Sequence, residues 1–132
     1  MPYTIALILF LSVAALVTLT GLDRSRAFYP TVLIVVGFYY VLFAAMAASR
    51  QTLLVEIVVA VGFLLVAIVG FKTHLWLVAA GLVGHGLFDF FHHRILANPG
   101  VPLWWPAFCL TFDVVFGVWL AVGLIRRPNP SL

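Results

Sequence analysis

The sequence predicts an all-α integral membrane protein, and three features support this: its composition, its long apolar runs and the position of its charges. Hydrophobic residues make up 65% of the 132 residues and charged residues 8%, where a soluble domain has about 45–50% and about 25%. A water-soluble domain of this size cannot bury so much apolar surface. The single cysteine, Cys109, excludes an internal disulfide and leaves the redox compartment undetermined.

Five apolar runs are long enough to cross a hydrocarbon core about 30 Å thick, which needs about 17–25 helical residues. We predict a five-helix transmembrane bundle with helices at Tyr3–Thr20, Phe28–Ala48, Leu53–Phe71, Leu75–Phe91 and Leu103–Ile125. The intervening segments carry charges and turn formers, such as Asn98-Pro99-Gly100. Because these loops are short, neighbouring helices should pack antiparallel, as one domain over residues 1–132.

The basic residues predict the orientation of this bundle. The loops after the first and third helices and the C-terminal tail share one side, which holds Arg24, Arg26, Lys72, Arg126 and Arg127. The other side holds only Arg50 and Arg94. The positive-inside rule therefore predicts an external N-terminus and a cytoplasmic C-terminus in the cell membrane. The lipid bilayer is the expected partner, and nothing in this charge pattern suggests a nucleic-acid surface.

Small residues inside the helices predict close packing. The fourth helix carries Gly81, Gly84 and Gly86, and the second ends in Ala44-Ala45-Met46-Ala47-Ala48. Small side chains let helix backbones approach each other where lipid provides no hydrophobic drive. The same faces would suit association of this chain into a homo-oligomer.

Three of the four acidic residues, Glu56, Asp89 and Asp113, lie inside apolar runs. A charge at mid-membrane costs on the order of 2.5–3.5 kcal/mol, so such residues face the bundle interior and mark functional sites by default. The helix directions place all three in the outer half of the bundle, with Asp113 the deepest. We therefore take these three as candidate catalytic residues.

Histidines accompany these acids on the fourth helix. At about 100° per residue, His85, Asp89, His92 and His93 fall within an arc of about 100° on one helix face. Imidazole and carboxylate groups suit zinc, iron or manganese. His85 and His92 are about 10 Å apart along the helix axis, so one ion cannot bind both. A single ion would use His85 and Asp89, completed by Asp113.

A two-ion site is the other arrangement that these residues permit. Asp89 would bridge the ions, and Glu56 with His92 or His93 would hold the shallower one. The segment from His85 to His93 resembles the histidine boxes HxxxH and HxxHH of membrane desaturases and hydroxylases, with Asp89 in place of the second histidine of the first box. The resemblance covers nine residues and implies metal-ligating chemistry. The leading hypothesis is a small membrane metalloprotein, and one form of this hypothesis is an enzyme acting on a lipid-soluble small molecule.

Two alternatives use the same polar residues without catalysis. In the first, His85 and Asp89 form a hydrogen-bonded couple, Asp113 bonds a tyrosine, and His92 and His93 are hydrated at the interface. This interpretation suits an assembly subunit, and it treats Cys109 as a small core residue. In the second, the acids and histidines lie at successive depths in the membrane and form a relay in a small proton or cation transporter.

Overall fold

A computed structural model describes residues 1–47 and 50–127. These residues form five long helices, α1 (Pro2–Thr20), α2 (Phe28–Ala47), α3 (Arg50–Lys72), α4 (Leu75–Ile95) and α5 (Trp105–Arg126). A one-turn 3₁₀ helix at Leu22–Arg24 links α1 to α2. The described residues contain no strand, so the prediction of an all-α fold is confirmed.

All five helices are long and apolar enough to cross a membrane. Large apolar side chains are exposed on every one of them, among them Ile8, Leu42, Val58, Leu87 and Val118. Soluble monomers rarely expose extended apolar patches. The surface therefore fits a multi-pass membrane protein, whose helices face lipid.

Two helices extend by three or four residues into polar sequence beyond the predicted bounds. We predicted that the fourth helix ends at Phe91, but α4 continues to Ile95 and its last turn holds His92, His93 and Arg94. Cationic side chains are favourable at the C-terminal end of a helix, which explains why the helix outlasts the apolar run. Likewise α3 begins at Arg50 and not at Leu53. The predicted end of the second helix, Ala48, lies outside the described residues.

Hydrogen bonds between distant segments show that neighbouring helices run antiparallel. Arg26, just before α2, donates from Nε to the Phe71 carbonyl at the end of α3, at 2.6 Å. Thr52, at the start of α3, donates to the Ala97 carbonyl just after α4, at 3.3 Å. The 96–104 loop therefore lies at one end of the bundle, called the site end below. The 21–27 segment lies at the opposite end.

The core joins the helices through interlocking apolar side chains. Its members include Phe10 of α1, Leu33 of α2, Leu82 of α4 and Phe116 of α5. Phe116 is 1% exposed, and its ring lies 5.4 Å from that of Phe10 in an edge-to-face arrangement. The most extensive helix contact is between α4 and α5.

Glycines explain how closely α4 packs on its neighbours. A Cβ atom added to Gly86 would lie 3.2 Å from the Leu110 carbonyl oxygen of α5, and one added to Gly81 would meet the Leu33 side chain of α2 at 2.8 Å. Both glycines therefore permit close contact, as predicted. The prediction is wrong for Gly84, where an added Cβ would meet nothing within 4 Å.

Replacing Gly117 on α5 should disturb this packing most strongly. A Cβ atom at Gly117 would lie 2.9 Å from the Ala79 carbonyl oxygen and 3.1 Å from the Val83 amide nitrogen, both in the α4 backbone. Because backbone cannot move aside cheaply, we expect Gly117→Ala to reduce stability by about 1–3 kcal/mol. Unfolding in mixed micelles of increasing SDS content, followed by far-UV circular dichroism, measures this loss.

Gly123→Ala on the same helix is the matched control, because an added Cβ there meets nothing within 4 Å. It should be neutral or stabilising by up to about 1 kcal/mol, the difference in helix propensity. Equal effects of the two variants would contradict a close α4–α5 approach at Gly117.

Candidate metal centre

One histidine and two aspartates meet between α4 and α5. His85 and Asp89 stand four residues apart on α4 and so share a face. Gly86 lets α5 approach, since an added Cβ there would lie only 3.2 Å from the Asp113 Cβ. His85 Nδ1 lies 2.6 Å from Asp113 Oδ2 and 3.4 Å from Asp89 Oδ2. The residues are 1%, 0% and 0% exposed, which confirms that they point into the bundle.

The donor atoms of these three residues can surround a single ion. One ligand atom from each lies within 4.8 Å of the others. A four-coordinate ion with bonds of about 2.0–2.1 Å has donor atoms about 3.3 Å apart. The contact between His85 and Asp89 matches that spacing, while the contact between His85 and Asp113 is a hydrogen bond that would widen around an ion.

The carboxylate oxygens of this cluster are short of donors. Both oxygens of Asp89 and Oδ1 of Asp113 are buried and accept no hydrogen bond of good geometry from a described residue, although the Tyr40 hydroxyl and the Cys109 thiol lie beside Asp89. Buried polar atoms are nearly always paired, because an unpaired one costs about 1–3 kcal/mol. A cation bound among these oxygens would satisfy them, so the residues present fit a metal ion.

Aromatic and sulfur groups surround the cluster. The ring of Phe63 on α3 packs edge to face on His85, with centroids 4.7 Å apart. Tyr40 of α2 and Cys109 of α5 lie beside Asp89, and both are 2% exposed. The buried position of Cys109 agrees with its prediction as a small core residue.

A second polar cluster lies one to two turns of α4 nearer the site end. His92 Nε2 lies 2.6 Å from Glu56 Oε1 on α3. Asn98 in the 96–104 loop donates from Nδ2 to the same oxygen at 3.0 Å and to the Tyr40 carbonyl at 3.2 Å. The Tyr40 ring stacks on the His92 imidazole with centroids 3.9 Å apart. Glu56 is thus a partner of His92 and not of His85.

The structure separates the two neighbouring histidines. The structural alternative placed His92 hydrated at the interface, and the two-ion alternative made it a metal ligand. It is instead 2% exposed, because Glu56, Tyr40 and Asn98 enclose it. His93 is exposed and lies outside both clusters, since one residue turns the helix by about 100°. Within the described ranges, the donor atoms of three such side chains converge only at His85, Asp89 and Asp113. The geometry therefore favours the one-ion arrangement over the two-ion arrangement.

Asn98 is the site residue that sequence reasoning missed. Its Oδ1 accepts from the Gly100 amide at 3.2 Å, the turn chemistry that the sequence indicated. The contact of its amide nitrogen with Glu56 joins residues 42 positions apart. No local pattern carries a signal for that contact.

Over residues 1–47 and 50–127, these features define a class: an all-helical protein with five candidate membrane-spanning helices and a buried His/Asp/Asp cluster. Comparisons of the chain with protein-family models, with curated proteins and with solved structures give no match. The functional argument therefore depends on the chemistry of the cluster.

Proposed function

We propose that this chain is a small multi-pass membrane metalloprotein that binds one zinc, iron or manganese ion at His85, Asp89 and Asp113. The observation that carries the proposal is the convergence of three buried ligand atoms within 4.8 Å of one another. The buried carboxylate oxygens that accept no hydrogen bond of good geometry support it. Two carboxylates would also balance the charge of a divalent ion in a region where unpaired charge is costly.

The coordination number supports a reactive role for this ion. Three protein ligands leave at least one position open, as in catalytic metal sites. When bound, the ion would supply Lewis-acid polarisation of a ligand in that position. The burial of the cluster excludes bulk water, and the apolar ring of Phe63, which packs on His85, is suited to a lipid-soluble substrate. Asp89 and Asp113 would hold the ion together with His85, while Glu56 holds His92 in the neighbouring cluster.

Metal analysis of the purified protein tests this proposal. Protein prepared without chelator is expected to hold close to one equivalent of zinc, iron or manganese by elemental analysis. After chelator treatment, adding back that metal should raise the melting temperature, because an ion that binds only the folded state stabilises it. Magnesium is the control, since it prefers an octahedral shell of oxygen ligands. Protein without transition metal that gains no stability from any of the three would contradict the proposal.

A non-catalytic membrane component is the second candidate function. The contact of 2.6 Å between His85 Nδ1 and Asp113 Oδ2 favours it, because this hydrogen bond pairs two buried polar atoms with each other. The couple of His92 and Glu56 would then serve helix packing or proton handling in the same way. In that case, replacing His85 would lower stability in a protein that carries no metal.

We also propose that the N-terminus is external and the C-terminus cytoplasmic in the cell membrane. The support is the charge bias, with Arg24, Arg26, Lys72, Arg126 and Arg127 at the opposite end and Arg50 and Arg94 at the site end. A green fluorescent protein fused after Leu132 should fluoresce, and alkaline phosphatase fused there should be inactive. Truncated fusions ending at Val101 are the control and should give the reverse pattern. An active phosphatase after Leu132 would mean that the bundle is inverted.

A further inference from the structure

A cavity of about 650 Å³ opens at the opposite end of the bundle, away from the metal centre. It lies between the 3₁₀ helix, the start of α4 and the last turns of α5, and its volume is typical of ligand sites, which are about 300–1,000 Å³. Its buried lining consists of Tyr29, Leu75, Leu120 and Leu124. The cavity therefore has an apolar base.

The exposed lining of the cavity is basic. Arg24, Arg126 and Arg127 are exposed, and Arg26 is half-buried. Four arginines and one aspartate, Asp23, give the lining a net charge of +3. A pocket with an apolar base and a basic rim is complementary to an anionic amphiphile.

Three of the four guanidinium groups are available to a ligand. Arg26 is engaged by the Phe71 carbonyl at 2.6 Å. Arg24, Arg126 and Arg127 form no ion pair with any described carboxylate. Guanidinium groups bind phosphate through paired, charge-assisted hydrogen bonds.

Asp23 adds a second recognition element. Its half-buried side chain lines the cavity beside the arginines. An acceptor among arginines repels a second anionic group but pairs with a hydroxyl donor. The lining thus suits a phosphate that carries a hydroxyl-bearing substituent.

We propose that this cavity binds the headgroup of an anionic phospholipid, with the phosphate on Arg24, Arg126 and Arg127 and a headgroup hydroxyl on Asp23. Basic pockets between membrane helices on the cytoplasmic side bind anionic headgroups in this way. The apolar base and the half-exposed ring of Trp119 accommodate the adjoining glycerol and acyl region. Phosphatidylglycerol has the required chemistry, whereas phosphatidylcholine lacks both the net charge and the hydroxyl.

Native mass spectrometry of the full chain in detergent tests the proposal, and binding in detergent does not depend on membrane orientation. We expect phosphatidylglycerol to bind in preference to phosphatidylcholine. Each arginine near an anionic headgroup is expected to strengthen binding about 5-fold. Arg126→Gln/Arg127→Gln should therefore weaken phosphatidylglycerol binding about 30-fold. Arg50→Gln/Arg94→Gln at the site end is the matched control, since it removes the same charge from exposed positions. It should change binding less than about 3-fold.

Additional measurements identify the source of the phosphate and the role of Asp23. Asp23→Ala should retain phosphatidylglycerol binding but lose its preference over phosphatidic acid, which has no headgroup hydroxyl. We expect that inorganic phosphate does not bind alone and does not displace the lipid. Phosphate that binds alone and also displaces the lipid would show that the cavity is a free-anion site and would overturn the lipid proposal. Equal losses in the two double variants, or no preference over phosphatidylcholine, would also overturn it. If lipid-free Arg126→Gln/Arg127→Gln has a lower melting temperature than the lipid-free wild type, Arg24→Gln replaces it as the test variant.

Discussion

His85→Ala is expected to remove the metal ion, while His93→Ala on the same helix leaves it bound. His85 supplies the only nitrogen among the three converging ligands, whereas His93 is exposed outside the cluster. Loss of partners that merely orient a ligand lowers metal affinity about 10–100-fold, so loss of a ligand itself should exceed about 100-fold. Elemental analysis and competition with a chromophoric chelator, done on the same preparations, measure occupancy and affinity.

A third variant separates metal binding from stability. His92→Ala should keep the ion, because His92 bonds to Glu56 and not to the metal ligands, but it should lower the melting temperature. Metal retained at wild-type affinity in His85→Ala would contradict the assigned ligand set. Loss of metal in His93→Ala as well would point to the exposed end of α4 as the binding position.

Glu56→Leu is expected to destabilise the protein by about 2–4 kcal/mol, because it leaves the buried His92 imidazole without its acceptor. Ordinary hydrogen bonds between membrane helices average only about 0.6 kcal/mol. The larger effect is expected because the acceptor is a carboxylate, which also binds Asn98 Nδ2 at 3.0 Å. Glu56→Gln preserves size and an acceptor oxygen and should lose less than half as much. Unfolding in mixed micelles of increasing SDS content measures each change.

The double variant Glu56→Leu/His92→Leu completes this prediction. Replacing both members of a buried polar pair with apolar residues is often neutral, since neither is then left unpaired. We therefore expect the double variant to recover most of the stability that Glu56→Leu loses. A Glu56→Leu protein as stable as the wild type, or a double variant whose losses simply add, would show that the couple contributes no coupling energy.

The helices could be predicted from the sequence because their cause is local. Runs of apolar residues of sufficient length define membrane-spanning helices without reference to the rest of the chain. The pairing of His85 with Asp89 follows equally from a spacing of four on one helix. The contact of Asp113 with these two residues could be predicted from its depth in the membrane. Antiparallel helices joined by short loops bring residues at the same depth close together.

The rotation of each helix about its axis depended on tertiary contacts. The arc of about 100° drawn from the sequence included both His92 and His93, and packing alone buried the first and exposed the second. That choice depends on how α4 turns toward α5 and α3, which Gly86 and Gly117 allow through close backbone approach. Gly84, with open space around it, shows that a glycine alone does not mark a contact face.

The sequence by itself determined the helical class, the spans and the candidate ligands His85, Asp89 and Asp113, because composition and spacing act within one helix. Only the tertiary structure decided that Glu56, His92 and Asn98 form a separate cluster and that the Arg26 guanidinium bonds to the end of α3. Those contacts join residues 36 to 45 positions apart. Such contacts depend on which faces meet in the bundle, and side-chain packing across several helices sets that arrangement.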